Sequence, residues 1–234
     1  MIENKRIAAV ILAAGSGTRM GTDVTKQKML IMGKSVLRRS LEAFDSTDCI
    51  ASITVVAKAN ELEFAKSECI GISKNVNVVS GGVTRAESAA KGFSAIPTDS
   101  NAVMIHDAAR CLITSDEINM IADAVYIYGA ATASVRIVDS LKKCDSDGFI
   151  TESISRECMR AVATPQAFLC DIYAAALKND QRGLEVTDDN TLVQAIGKSV
   201  FCVDTLPTNI KITSKSDIAL AEAIIMRREV HGHG

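Results

Sequence analysis

Residues Ile7–Ala13 (IAAVILA) make a continuous apolar run that leads directly into a glycine-rich loop, Ala14-Gly15-Ser16-Gly17-Thr18-Arg19. An apolar run without polar alternation suits a strand buried on both faces, as in a parallel sheet with helices on either side. The rest of the chain keeps to that plan. Helical spacing at Val36–Phe44 is followed by a strand at Ile53–Ala57, a helix over Asn60–Cys69 and a strand at Val76–Val79. A helix from about Ala86 to Ala95 precedes a strand at Ala102–Ile105, a helix over Ser115–Tyr128 with Ser115 as N-cap, and a strand at Ala130–Val135. Later segments read as a helix from Ala167, another opened and capped by Thr187, a strand near Val200–Val203 and a last helix over Ser216–Arg228. Alternation at this spacing predicts a mostly parallel, Rossmann-like α/β sheet. Right-handed crossovers would gather the strand C-terminal ends along one edge.

The stretch 136–162 breaks the rhythm. It is polar and carries the turn signal Asp145-Ser146-Asp147-Gly148, so a protruding β-arm is expected. An arm with few core partners of its own calls for a neighbour, and a homodimer follows. At 234 residues, with 47% hydrophobic and 23% charged side chains, the chain suits one domain over 1–234 bearing that arm. A net charge of −2 gives no cationic field for nucleic acid or anionic membranes. The longest apolar stretch is far short of the ~20 residues that span a bilayer, and the N-terminus lacks a signal-peptide layout. Seven scattered cysteines, none in a C-x-x-C pair, fit a reduced, cytoplasmic setting.

Glycines let a backbone approach phosphate and aim successive N–H groups at it. Two familiar glycine motifs fail on spacing: a dinucleotide fingerprint needs glycine where Met20 stands, and a P-loop ending at Lys34-Ser35 needs glycine where Lys28 stands. What remains is a glycine loop followed by two cations, Arg19 and Lys26. Alone, this fits either a phosphate cradle or a tight turn with solvated basic residues.

Six further segments accompany it: Gly81-Gly82-Val83-Thr84-Arg85-Ala86-Glu87-Ser88, His106-Asp107-Ala108-Ala109-Arg110, Asp139-Ser140-Leu141-Lys142, Ala163-Thr164-Pro165-Gln166-Ala167-Phe168, Thr187-Asp188-Asp189 and Asn209-Ile210-Lys211-Ile212-Thr213. In order and approximate spacing, over about residues 6–226, they resemble the 2-C-methyl-D-erythritol 4-phosphate cytidylyltransferase family, within the sugar-phosphate nucleotidyltransferases. The resemblance implies transfer of a cytidylyl group from CTP to that sugar-alcohol phosphate, with loss of pyrophosphate, in non-mevalonate isoprenoid synthesis.

Such a reaction needs no general base. A phosphate monoester has its second pKa near ~6 and is already a dianion at neutral pH. The burden is electrostatic and is met by Arg, Lys and Mg²⁺ or another divalent cation. By resemblance, Arg19 and Lys26 grip the triphosphate and Lys211 reaches the α-phosphate. Ala13, Ala14, Gly15, Gly17, Gly81, Gly82, Arg85 and Ser88 bind nucleotide. Asp107, expected just after its strand, stands beside metal, nucleotide and acceptor; His106 is expected to pack rather than catalyse. Arg110, Ser140, Arg156 and Thr164 match acceptor positions, with Ser140 and Arg156 delivered from the neighbouring subunit.

The chain departs from the family pattern at Thr25, Lys28, Val83, Cys111, Ala163 and Thr208, and Ser140 replaces a usual threonine. None of these removes a charged catalytic group, so they bear on acceptor identity more than on reaction type. Two alternatives share the fold: a ribitol 5-phosphate-type cytidylyltransferase, and a catalytically silent nucleotide-binding regulator. The lean is to the first reading, because Ala14-Gly15, Ala108-Ala109 and Asp139…Lys142 match it and because Arg19, Lys26, Asp107 and Lys211 are all retained.

Overall fold

The computed structural model of the chain describes residues 6–15, 25–179 and 186–231. In chain order the elements are β1 (Ile7–Leu12), the short pair β2 (Leu30–Ile31) and β3 (Lys34–Ser35), α1 (Val36–Asp45), β4 (Ile50–Ala57), α2 (Leu62–Glu68), β5 (Asn75–Ser80) and α3 (Arg85–Ser94). Then come β6 (Ala102–Asp107), α4 (Ser115–Tyr128), β7 (Ala130–Arg136), β8 (Leu141–Cys144), β9 (Ile150–Ile154), β10 (Arg160–Leu169), α5 (Cys170–Lys178), α6 (Asp189–Ala195), β11 (Phe201–Asp204) and α7 (Lys215–His231).

Seven strands form one mixed sheet in the order β11-β7-β10-β6-β1-β4-β5. The first apolar run lies near its centre, parallel to both β6 and β4, and is buried along its whole length. Its side chains alternate between two cores. Ile7, Ala9 and Ile11 meet Leu37, Leu41 and Phe44 of α1, Ala65 of α2 and Ile121 and Val125 of α4 on one face. Val10 and Leu12 meet Ala89 of α3, Tyr173 of α5 and Leu192 and Val193 of α6 on the other. A strand shared between two apolar layers has no face for a polar residue, which is why the run reads as unbroken hydrophobicity.

Close packing of α3 depends on Gly92. A Cβ there would lie 2.3 Å from Val10 Cγ1 and 2.8 Å from Val56 Cγ2. Gly92→Ala is therefore expected to destabilise the protein by about 1–3 kcal/mol through overpacking. An unchanged urea midpoint would contradict that contact.

The expected elements recur with shifts of a few residues, and four expectations change. The strand expected at 102–105 runs on through His106 and Asp107. Thr114, not Ser115, caps α4, in a capping box with Glu117. Asp188, not Thr187, caps α6, accepting from the Thr191 N–H at 3.0 Å. The largest correction concerns 160–169. Instead of arm residues followed by a helix from Ala167, they form β10, which runs antiparallel to both β6 and β7 inside the sheet. Its ladder to β7 is interrupted between Val162 and Gln166, where the Thr164–Pro165 peptide bond is cis.

The excursion itself is the two-stranded β8–β9 hairpin. Asp145 organises its turn, accepting from the Asp147 and Phe149 N–H groups at 3.1 and 2.9 Å.

Candidate functional site

The C-terminal ends of β1, β5 and β6 border a cavity of about 360 Å³, within the size range of small-molecule sites. Ala13 leaves β1 with its N–H on the Val56 carbonyl at 2.7 Å, and Gly81 leaves β5 with its N–H on Ala57 at 2.8 Å. A Cβ on Gly81 would lie 2.7 Å from Ala14 Cβ and 2.9 Å from Ser88 Oγ. Only glycine lets the two strand exits come this close. Ala14, Gly15 and Lys26 line the cavity on the β1 side; Gly82, Arg85 and Ser88 line it on the α3 side. Gly17 and Arg19 lie outside the described residues.

Thr84 caps α3, and its first turn is tied back on the glycine pair. The Ser88 hydroxyl donates to the Thr84 carbonyl at 2.9 Å and accepts from the Gly82 N–H at 3.0 Å. Glu87 Oε2 accepts from the Val83 N–H at 2.7 Å. Ser88 thus lines the cavity with its hydroxyl already engaged in shaping the turn.

Asp107, at the tip of β6, is the electrostatic centre. Its Oδ2 accepts from Lys211 Nζ at 2.7 Å and its Oδ1 from Arg85 Nε at 3.3 Å. Burial alone would push the carboxyl up, but Arg85 and Lys211 outweigh it and hold the group below the usual carboxylate range. Arg85 also donates from Nη1 to Asp189 Oδ2 at 2.6 Å. Burial opposes its charge; Asp189 and then Asp107 overcome that and raise its pKa. Lys211 is presented by a pinned segment. On either side of it, Asn209 and Ile212 are buried, with Asn209 Nδ2 on the Thr164 carbonyl at 2.9 Å and the Ile212 N–H on Ala109 at 2.8 Å.

His106 is fully buried, its ring 5.0 Å from that of Phe44 and its Nδ1 3.2 Å from Thr164 Oγ1. Burial pushes its pKa down to about 3, against the opposing pull of Asp107. A neutral, enclosed imidazole packs and orients; it has no access to a substrate proton.

The four acceptor candidates divide. Thr164 and Arg110 stand next to Asp107: the Thr164 hydroxyl accepts the Asp107 N–H at 3.0 Å, and Arg110 Nη1 donates to the Asn209 carbonyl at 3.0 Å. Burial lowers the Arg110 pKa, with Asp107 opposing. Ser140 and Arg156 sit exposed at the base of the β8–β9 hairpin, where Arg156 Nη1 donates to the Val138 carbonyl; none of the four acceptor candidates is among the residues lining the cavity. The residue that sequence reasoning missed is Asp189, taken there only as part of a helix start. Its sole signal was the Thr187-Asp188-Asp189 triplet.

A family model, 2-C-methyl-D-erythritol 4-phosphate cytidylyltransferase, matches residues 7–227. The chain belongs to this family. Enzymes of that name from Pelotomaculum thermopropionicum and Caldanaerobacter subterraneus are 39% and 35% identical to it over 228 and 225 residues, covering 96% and 94% of this chain and 96% and 99% of theirs. The crystal structure of 4-diphosphocytidyl-2C-methyl-D-erythritol synthase from Anaerococcus prevotii superposes with a TM-score of 0.85 at 26% identity, covering 96% of this chain and all of that one. Membership makes this chain an enzyme of the cytidylyltransferase class with the family's α/β fold. For such a cytidylyltransferase, a cavity that gathers Lys26, Arg85 and Lys211 around one buried carboxylate is suited to holding a polyphosphate and stabilising charge that builds on it.

Proposed function

We propose that this chain transfers the cytidylyl group of CTP to 2-C-methyl-D-erythritol 4-phosphate, giving the 4-diphosphocytidyl alcohol and pyrophosphate. An oxygen of the acceptor phosphate attacks the α-phosphorus. The bond from that phosphorus to the bridging oxygen breaks, and pyrophosphate leaves with the electron pair. The observation that carries the reading is the Lys211–Asp107 contact of 2.7 Å at the cavity, in a chain of this family. Aspartate holds the ammonium in place at the cavity before substrate arrives, so little reorganisation is needed when charge develops.

In this reading Lys26 and Arg19 hold the triphosphate and Lys211 takes up charge at the α-phosphate. Backbone groups of Ala13, Ala14, Gly15, Gly17, Gly81 and Gly82, with Arg85 and Ser88, seat the nucleotide. Arg110 and Thr164 meet the acceptor phosphate from within the chain. Ser140 and Arg156 serve the site of a second copy, so that a homodimer has composite sites. Support comes from their exposure at the base of the arm and from the exposed apolar side chains Phe149 (72%) and Ile150 (64%) on it. Residues 1–234 act as one domain, with the arm formed by the excursion between β7 and β10.

A divalent cation suits this chemistry. Among the described residues no cluster of three or more His, Cys, Asp and Glu could hold one, and Asp107 is the acidic side chain lining the cavity. A Mg²⁺ would then be held chiefly by substrate phosphates, with Asp107 as the protein's carboxylate beside it. Such an ion neutralises charge on the phosphates. Turnover should vanish in excess chelator and return when Mg²⁺ is restored; full activity in chelator would remove the ion from the account.

No helix among the described residues is long and apolar enough to cross a membrane. A cytoplasmic setting, with no nucleic-acid or membrane partner, completes the reading and accords with seven scattered cysteines, none in a C-x-x-C pair. The direct test is phosphorus NMR of purified protein with CTP, Mg²⁺ and the acceptor. New diphosphodiester signals should rise together with pyrophosphate. Unchanged CTP would refute the proposal.

A further inference from the structure

Asp189 lies behind the cavity rather than in it. It is 1% exposed, and every polar contact fixes it in place. Its N–H donates to Gln166 Oε1 on β10 at 3.0 Å, and its Oδ1 accepts from the Tyr173 hydroxyl on α5 at 2.5 Å. Gln166 Nε2 returns to Asp188 at 3.0 Å, binding the first turn of α6 to the sheet. Tyr173 is itself buried, stacked on Phe168 and edge-on to Phe93. The carboxylate so anchored has one oxygen left, and that oxygen takes Arg85 Nη1 at 2.6 Å.

A guanidinium beside one carboxylate usually closes on it through two parallel bonds. Arg85 does not close on Asp107. It gives its short bond to Asp189 and reaches Asp107 only through Nε at 3.3 Å, while its Nη2 has no hydrogen-bond partner among the described residues. Without Asp189, nothing would stop Arg85 from folding onto Asp107 as a fork. It would then draw away from the Gly82–Ser88 wall of the cavity.

We propose that Asp189 is a positioning residue for nucleotide binding: it holds Arg85 against the cavity wall and keeps it from pairing fully with Asp107. This rests on the reading of the cavity as the CTP site. The action is on the bound nucleotide as a whole, so it falls on affinity rather than on the chemical step. Tyr173 contributes by fixing the orientation of the Asp189 carboxylate.

The test is a double-mutant cycle read by calorimetric titration of CTP with Mg²⁺ present, alongside steady-state kinetics. Asp189→Asn keeps the volume and removes the charge. It should weaken CTP binding and raise KM by about tenfold while kcat at saturating CTP stays within about twofold. In an Arg85→Ala background the same change should add less than about twofold, because the residue it acts through is gone. Tyr173→Phe, which leaves the buried charge pair in place, should weaken CTP binding about threefold in the natural chain and not at all beside Arg85→Ala. Losses that multiply in the Arg85→Ala background, or a fall in kcat at unchanged KM, would overturn the positioning role. Failure of the natural protein to bind CTP would instead overturn the functional reading on which it rests.

Discussion

Lys211→Ala lowers kcat by about 10²–10³, or about 3–4 kcal/mol, which is the loss expected when a preorganised charge facing the reacting phosphate is removed. The size of the effect follows from how Lys211 is held. Asp107 fixes its ammonium at 2.7 Å, and the buried neighbours Asn209 and Ile212 fix the backbone beneath it. A free surface lysine would have to be ordered at each turnover; this one already is. Stability should change little. Its side chain is 44% exposed, and Arg85 still faces Asp107 after its removal. Stopped-time assays of pyrophosphate release check the rate, and urea unfolding checks the stability. Near-normal turnover would remove Lys211 from the mechanism.

Mixing Lys26→Ala with Arg156→Ala, each inactive alone, restores activity once subunits exchange. In the proposed dimer Lys26 serves its own chain's cavity, whereas Arg156, on the exposed hairpin base, serves the neighbour's. A heterodimer then carries one doubly damaged site and one intact site. Random exchange makes about half the dimers mixed, so recovery should approach roughly a quarter of the natural site count. Native mass spectrometry establishes exchange independently of activity. If mixed dimers form and no activity returns, Arg156 acts within its own chain or not at all.

How far such residues could be read in advance depended on whether their signal is local. The β1 run and the glycine turns at 15 and 81 carry their meaning in neighbouring residues, and the alternation of strand and helix was legible for the same reason. Asp107 and Lys211 came through motifs, since each is flanked by residues with their own structural duties: His106 is buried beside Phe44, and Asn209 and Ile212 bracket the lysine. Strand β10 was illegible because Pro165 marks a breaker in an otherwise plausible strand. Only the folded sheet reveals that the ladder to β7 is interrupted there, while on the β6 side the Thr164 hydroxyl takes the Asp107 N–H. Asp189 was hidden for another reason. An acidic residue at a helix start is ordinary capping chemistry, and its partner Arg85 lies 104 residues away in sequence. The caps at Thr114 and Asp188 moved by one residue each, because neighbouring Ser, Thr and Asp compete for one geometry and backbone dihedrals decide between them.

Nucleotide and acceptor are tested together by a single comparison. Pyrophosphate release is followed with CTP and Mg²⁺ while 2-C-methyl-D-erythritol 4-phosphate and ribitol 5-phosphate are offered in parallel at equal concentrations. Release should be rapid with the methylerythritol phosphate, and kcat/KM at least about 100-fold lower with the ribitol phosphate, the scale on which a site built for one set of hydroxyls rejects another. Equal or faster release with ribitol 5-phosphate, or none with either acceptor, would contradict the proposed reaction.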